Sequence, residues 1–203
     1  MKTITAVALL TTLMLVGGCA SDKSYVKAGF DFSALDKIAV IDVRGDINTD
    51  AARNQIADLF EAELIKKGYT PMERTQAQTL LKEQQLQALD LAGPRDAARA
   101  GLILNVPAVL VIDIPELGEE MTITAKMIDT ETGGILWMAD DSGGIGAKLA
   151  AILRLGPAMP DQTSQGLSPQ KASQAKTIIK KMCKTLPAAA PTGPGARRKR
   201  HRS

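Results

Sequence analysis

The sequence predicts an α/β fold, a mixed sheet with flanking helices and a C-terminal antiparallel hairpin, and three observations predict it. Two runs, Lys37-Ile38-Ala39-Val40-Ile41-Asp42-Val43 and Ala108-Val109-Leu110-Val111-Ile112-Asp113-Ile114, are nearly continuously apolar and rich in β-branched residues, as strands buried on both faces are. Between them, apolar residues recur at helical spacing. After them, Met121-Thr122-Ile123-Thr124-Ala125-Lys126-Met127-Ile128 alternates with period two, and Asp129-Thr130-Glu131-Thr132-Gly133-Gly134 turns the chain into Ile135-Leu136-Trp137-Met138.

The elements can be justified in chain order. After the first strand, Gly45 and Asn48 turn the chain, and Asn48, Thr49 or Asp50 can cap the first helix. Ala52, Ile56, Leu59, Phe60 and Leu64 share one face of that helix over 51–67, which Gly68 stops. Residues 69–72 form a short strand, and a second helix over 75–89 carries Ala77, Leu80, Leu81, Gln84 and Ala88 on one side. Gly93-Pro94 breaks it, and 95–104 gives a further helical turn or two. Beyond the hairpin, 142–146 is Gly-rich, and 147–155 and 168–186 are helix candidates around a Pro- and Gln-containing loop. The order β-α-β-α-α-β-β-β implies layers of helix on a sheet whose C-terminal part is antiparallel.

The chain begins with a targeting segment. Lys2, the apolar run 4–16 and Gly17-Gly18-Cys19-Ala20 have the charge, length and small residues of a secretory signal. The run falls short of the roughly 20 apolar residues that a spanning helix needs. Val16-Gly17-Gly18-Cys19 resembles the bacterial lipobox, which makes residues 1–18 a signal peptide and Cys19 the lipidated first residue of an anchored chain. In Gram-negative sorting an Asp directly after that Cys favours inner-membrane retention. Here Ala20 stands in that place, which points to the outer membrane, facing the periplasm, with the inner membrane as the alternative address. Residues 19–34 read as a tether and 35–141 as the α/β domain. Residues 142–186 read as a Gly-rich loop with C-terminal helices, and 187–203 as a disordered basic tail.

Charge and composition exclude several functions. The 203-residue chain carries a net +3, but the signal holds Lys2 and the tail Arg197-Arg198-Lys199-Arg200-His201-Arg202 holds five positive charges, so the body between them is net −3. A folded nucleic-acid-binding face would be basic, and one Trp, two Tyr and three Phe leave little for base stacking. The single histidine is His201 in the tail, which removes histidine triads and histidine-ligated metals from the folded body. No carboxylate pair stands out, with Asp113 the one acid expected to be partly buried. No phosphate loop comes after a strand, and Gly143-Gly144-Ile145-Gly146 lacks the lysine. No catalytic residue, cofactor, metal ligand or small-molecule substrate emerges, and a non-enzyme is expected. With Cys19 acylated, Cys183 is the one remaining thiol. It shares a helical stripe with Ile179 and Leu186, so a buried, inert thiol is expected over one that pairs between chains.

Four segments in order carry a family likeness: strand 38–43; the helix and Gly68-Tyr69 at 59–69; Glu73-Arg74-Thr75 leading to Leu81-Lys82-Glu83-Gln84-Gln85-Leu86; and Ile128-Asp129-Thr130-Glu131-Thr132-Gly133-Gly134-Ile135-Leu136-Trp137. This set resembles the CsgG-type lipoproteins, named for the curli-secretion channel, over residues 34–141, and more distantly the LpoB-type activators of peptidoglycan synthases. The channel builds two membrane-crossing hairpins into its core. One precedes the strand matching 121–128 and the other comes after the strand matching 135–138. Each needs about 20 residues. Only 115–119 is available at the first place, and 142–155 lacks alternation at the second. The resemblance therefore implies a CsgG-like periplasmic core without its pore. It implies a lipid-anchored, non-enzymatic envelope assembly or binding module whose partner is an envelope protein or another copy of itself. A curli-type secretion component and an LpoB-like wall-synthase regulator are the alternatives.

Overall fold

The computed structural model describes residues 23–84, 93–143 and 166–189. Six strands form one sheet: β1 (Lys23–Val26), β2 (Lys37–Gly45), β3 (Thr70–Met72), β4 (Ala108–Leu117), β5 (Met121–Asp129) and β6 (Ile135–Gly143), in the order β1-β6-β5-β4-β2-β3. β2 runs parallel to both β3 and β4, and β4, β5, β6 and β1 are antiparallel in succession, so the sheet is mixed as the sequence predicts. Four helices flank it: α1 (Asp50–Lys66), α2 (Arg74–Glu83), α3 (Pro94–Ile103) and α4 (Pro169–Met182).

The two apolar runs form adjacent central strands with opposite cores on their two faces. On one face Ile38, Val40, Val43, Leu110, Ile112 and Ile114 pack with Ile56, Phe60 and Leu64 of α1 and Ile178, Ile179 and Met182 of α4. On the other, Ala39, Ile41, Val109 and Val111 meet Ala77 and Leu81 of α2 and Ala97, Ala98 and Ala100 of α3. Small alanines on α3 let that helix approach closely: a Cβ on Gly101 would stand 2.1 Å from Thr130 Cγ2. Thr49 caps α1 by accepting from the Ala52 amide at 3.2 Å, and Ser168 caps α4 from Lys171.

The chain ends depart from the expected organisation. The tether assigned to 19–34 is cut short, because Lys23–Val26 pairs with β6 from Lys23↔Asp140 to Val26↔Trp137, and Phe32 is buried in a short 3-10 turn over Phe32–Ala34. All four β1 side chains are exposed, so no alternation marked the strand; register with β6 makes it one. β6 runs on to Gly143, past the expected end at 138, because Asp141 and Gly143 are held by α4: Lys181 Nζ donates to Asp141 at 3.1 Å, and Gln174 Nε2 donates to the Gly143 carbonyl. The disordered tail does not begin at 187. Tyr69 donates its hydroxyl hydrogen to the Pro187 carbonyl at 2.8 Å, and the Ala189 amide donates to the Lys67 carbonyl at 2.9 Å. The second helix starts at Arg74 and, as described, reaches Glu83. Its expected continuation to 89, the 147–155 helix, Cys19 with its signal and the 190–203 tail lie outside the described residues.

Trp137, near the start of β6, is fully buried in the core that also holds Phe60 of α1. Its Nε1 donates to Thr185 Oγ1 at 3.1 Å, just beyond α4, which is the helix that lies over β6. Cys183 is free and buried, as its helical stripe predicts, and burial pushes its thiol up to about 12.

Candidate functional site

The helices leave part of one sheet face uncovered. On the α1 and α4 side the sheet is closed across β4, β5 and β6, where Met121, Ile123, Ala125 and Met127 are all buried. On the other side α2 and α3 cover the rows of Ala39, Val109 and Ile128 and the start of the next row, where Asp42 and Val111 are buried, while Thr124, Lys126, Met138 and Asp140 are half-exposed. Directly paired residues of neighbouring strands share a face. The register therefore lays a polar band across five strands, Arg44–Asp113–Thr124–Asp140–Lys23, and beside it a second row, Asp42–Val111–Lys126–Met138–Tyr25. The bulge at Ile41, between the Val40 and Asp42 pairs, sets this phase: Asp42 and Arg44 stand on the α2 and α3 side of the sheet, Asp42 buried and Arg44 half-exposed, while Val43 stays in the opposite core.

Along the band the charges run positive, negative, neutral, negative, positive, so two carboxylates lie between two cations. Arg44 Nε lies 3.7 Å from Asp113 Oδ2, and its Nη1 lies 4.0 Å from Asp42 Oδ2. The sequence singles out Asp113 as the partly buried acid, and its side chain is 39% exposed. The buried acid is Asp42, 4% exposed, whose Oδ2 has no hydrogen-bond partner. Burial raises the Asp42 carboxyl above the usual carboxylate range, and Arg44, Arg74 and Arg53 oppose that shift. An aspartate two residues before an arginine in an otherwise apolar strand was the available signal. Which strands their face would meet was not written there.

A second polar cluster lies where α1 meets the start of α2. Arg74, 7% exposed, donates from Nη1 to Asn54 Oδ1 at 2.6 Å, and Gln78, with its amide turned to satisfy both groups, accepts from Nη2 at 3.0 Å and Nε at 3.3 Å. Burial pushes Glu61 of α1 up to about 7, with the neighbouring Asp58 and Glu73 adding to it. These groups hold two helices together and open onto no cleft. An open depression at the opposite end of β2 and β4 is lined by Asp36, Leu102, Asn105 and Thr130, whose hydroxyl is already bonded to the Val106 and Pro107 carbonyls. Among the described residues no group of three or more His, Cys, Asp or Glu could hold a metal ion. Among the described residues the arrangement offers a charged sheet surface with two carboxylates between two cations.

No family model and no curated protein matches the chain. Among solved structures, a PelC dodecamer from Paraburkholderia phytofirmans aligns at TM-score 0.46 and 16% identity, covering 81% of this chain and 98% of that one. Lipoprotein GNA1162 from Neisseria meningitidis aligns at TM-score 0.46 and 20% identity over 59% of this chain and 91% of its own. The LpoB C-terminal domain from Salmonella enterica aligns at TM-score 0.43 and 16% identity, over 57% and 86%. At these scores and identities nothing about ligand or partner passes from them to this chain.

Proposed function

We propose that the chain is a lipid-anchored, non-enzymatic module of the bacterial cell envelope, held to the membrane through Cys19, that binds an envelope protein partner through the open half of its sheet. The observation that carries the binding role is the polar band Arg44–Asp113–Thr124–Asp140–Lys23 on a face that α2 and α3 leave uncovered. A row that sets two carboxylates between two cations suits recognition of a complementary protein surface, where charge sets register and partner choice. The lipobox-like Val16-Gly17-Gly18-Cys19 carries the anchor.

Two finer roles come from the sequence likeness, a CsgG-type assembly component and an LpoB-type regulator of a wall synthase. The β4–β5 connection favours the second. β4 ends at Leu117 and β5 begins at Met121, so only 118–120 stand where the curli channel inserts a membrane hairpin. Photo-crosslinking in intact cells tests the surface. A photoreactive residue at Thr124 or Lys126 is expected to give an envelope-protein adduct that one at Leu102 on α3 does not. Equal adducts at all three sites, or none at the sheet positions, overturn the binding face. Incorporation of an alkyne fatty acid, lost in Cys19→Ser, tests the anchor separately.

A further inference from the structure

Tyr25 and Val26 are consecutive on β1 and stand on opposite sides of the sheet edge, Tyr25 in register with Met138 and Val26 with Trp137; they are two of the four large apolar side chains exposed among the described residues, at 52% and 39%. Lys23 and Lys27 flank them, and Lys27 Nζ stands 5.6 Å over the Phe30 ring. Among the described residues β1 is also an edge strand, paired with β6 alone. Exposed edges with apolar side chains invite pairing with other chains unless something covers them. An edge with an amphipathic tyrosine on one side, an aliphatic residue on the other and lysines before and after them can stand edge-on at a membrane–water interface, ring and stem toward the acyl boundary and ammonium toward anionic headgroups.

The length of chain before β1 says what covers it. Lys23 is the fourth residue after Cys19. An extended chain gains at most about 3.6 Å per residue, so Lys23 stands within roughly 14 Å of the acylated residue's own backbone. A tether of that length leaves β1 no way to leave the headgroup region while the lipid stays in the bilayer. We infer that the β1 edge is a membrane-apposed surface: Tyr25 and Val26 rest on the phospholipid interface with Lys23 and Lys27 on anionic headgroups. The inference rests on Cys19 being the anchored residue. It also fixes orientation, since the membrane then lies along one edge of the sheet and the polar band runs away from it toward β2.

The test uses the full lipidated chain in vesicles of phosphatidylethanolamine and phosphatidylglycerol. Single cysteines at Tyr25→Cys, Val26→Cys, Ile65→Cys and Leu102→Cys carry an environment-sensitive fluorophore; Cys183 is buried and Cys19 acylated, so neither takes the label. Ile65 and Leu102 are the other two exposed apolar positions and serve as controls. Spin-labelled headgroups are expected to quench the label at 25 and 26 and to leave it bright at 65 and 102. A twelve-residue Gly-Ser insertion between Asp22 and Lys23 is expected to bring quenching at 25 down to the control value while the protein still floats with the vesicles. Flotation with no quenching at 25 or 26 overturns the membrane-apposed edge alone. Label-to-label energy transfer between copies at 25 without lipid quenching overturns it in favour of a second copy on that edge. Absence of both flotation and acyl mass overturns the Cys19 anchor, and the inference with it.

Discussion

Glu61 sits on α1 with its Oε1 buried and without a hydrogen-bond partner, beside Asp58 on the same helix and Glu73 at the start of α2. Desolvation, with those two carboxylates adding to it, pushes its carboxyl up to about 7, and Arg74 only partly offsets this. In the unfolded chain the group returns to its ordinary value near 4.5. Between those values the folded state therefore holds a proton that the unfolded state has lost, so stability falls as pH rises from about 4.5 to about 7. Glu61→Gln keeps the shape and removes the charge. Urea denaturation of the soluble Cys19→Ser protein is expected to show the variant matching the parent at pH 4.5 and exceeding it at pH 8. A gap that stays constant across that range would mean the carboxylate ionises at no cost to the fold. Arg74 is the other buried charge here, and burial lowers its guanidinium below the ordinary arginine value, with Asp42, Asp50 and Asp58 holding it up. Arg74 thus relieves part of the shift on Glu61, while its own is offset by Asp42, Asp50 and Asp58.

At the scale of elements, the C-terminal segment closes the larger core. Ala175, Ile178, Ile179 and Met182 of α4, then Cys183, Leu186 and Ala189, all lie in the cluster that includes Trp137 and Phe60. The last of these contacts comes after the helix: Thr185 takes the Trp137 indole hydrogen, Pro187 takes the Tyr69 hydroxyl hydrogen, and Ala189 donates to Lys67. Truncation after Ala189, which removes the Pro/Ala/Gly stretch and basic run, is expected to leave the thermal midpoint unchanged. Truncation after Thr185 loses the burial of Leu186 and two hydrogen bonds and is expected to cost about 3–5 kcal/mol, counting about 2 for a buried leucine and about 1 for each bond. Equal midpoints for both truncations would show that 186–189 contributes nothing. This boundary was not legible from composition, because Pro187-Ala188-Ala189 looks like the start of a flexible tail and its role depends on where Tyr69 and Lys67 stand. β2 and β4 were legible because both faces of each are apolar. β1 was not, since Lys23-Ser24-Tyr25-Val26 carries no pattern and owes its strand to β6. The polar band was hidden for the same reason. Its five residues come from five strands, and only the register brings Arg44, Asp113, Thr124, Asp140 and Lys23 into one row.

For the whole molecule, the decisive question is whether a chain with this core can also line a pore. A strand that spans the bilayer takes about 9–11 residues, and every backbone group in it must be paired within a closed barrel. At the β4–β5 junction Leu117 already pairs with Met121, and Lys171 Nζ donates to the Leu117 carbonyl at 2.7 Å, so the turn over 118–120 is tied to α4 and offers no hairpin. After β6 the 144–165 stretch lies outside the described residues; in sequence, 142–155 is Gly-rich and then helical in period, without alternation. Among the described residues no helix is long and apolar enough to cross a membrane, which leaves the barrel as the case to test. The mature chain carrying Cys19→Ser is expected to stay in solution after ultracentrifugation without detergent, because its apolar surface is folded between the sheet and α1 to α4 rather than turned toward lipid. The lipidated chain, added to planar bilayers under voltage, is expected to leave the current flat. Stepwise conductance in the same preparation would require paired strands that the β4–β5 turn cannot supply, and would put 144–165 in the membrane in place of the pore-less core.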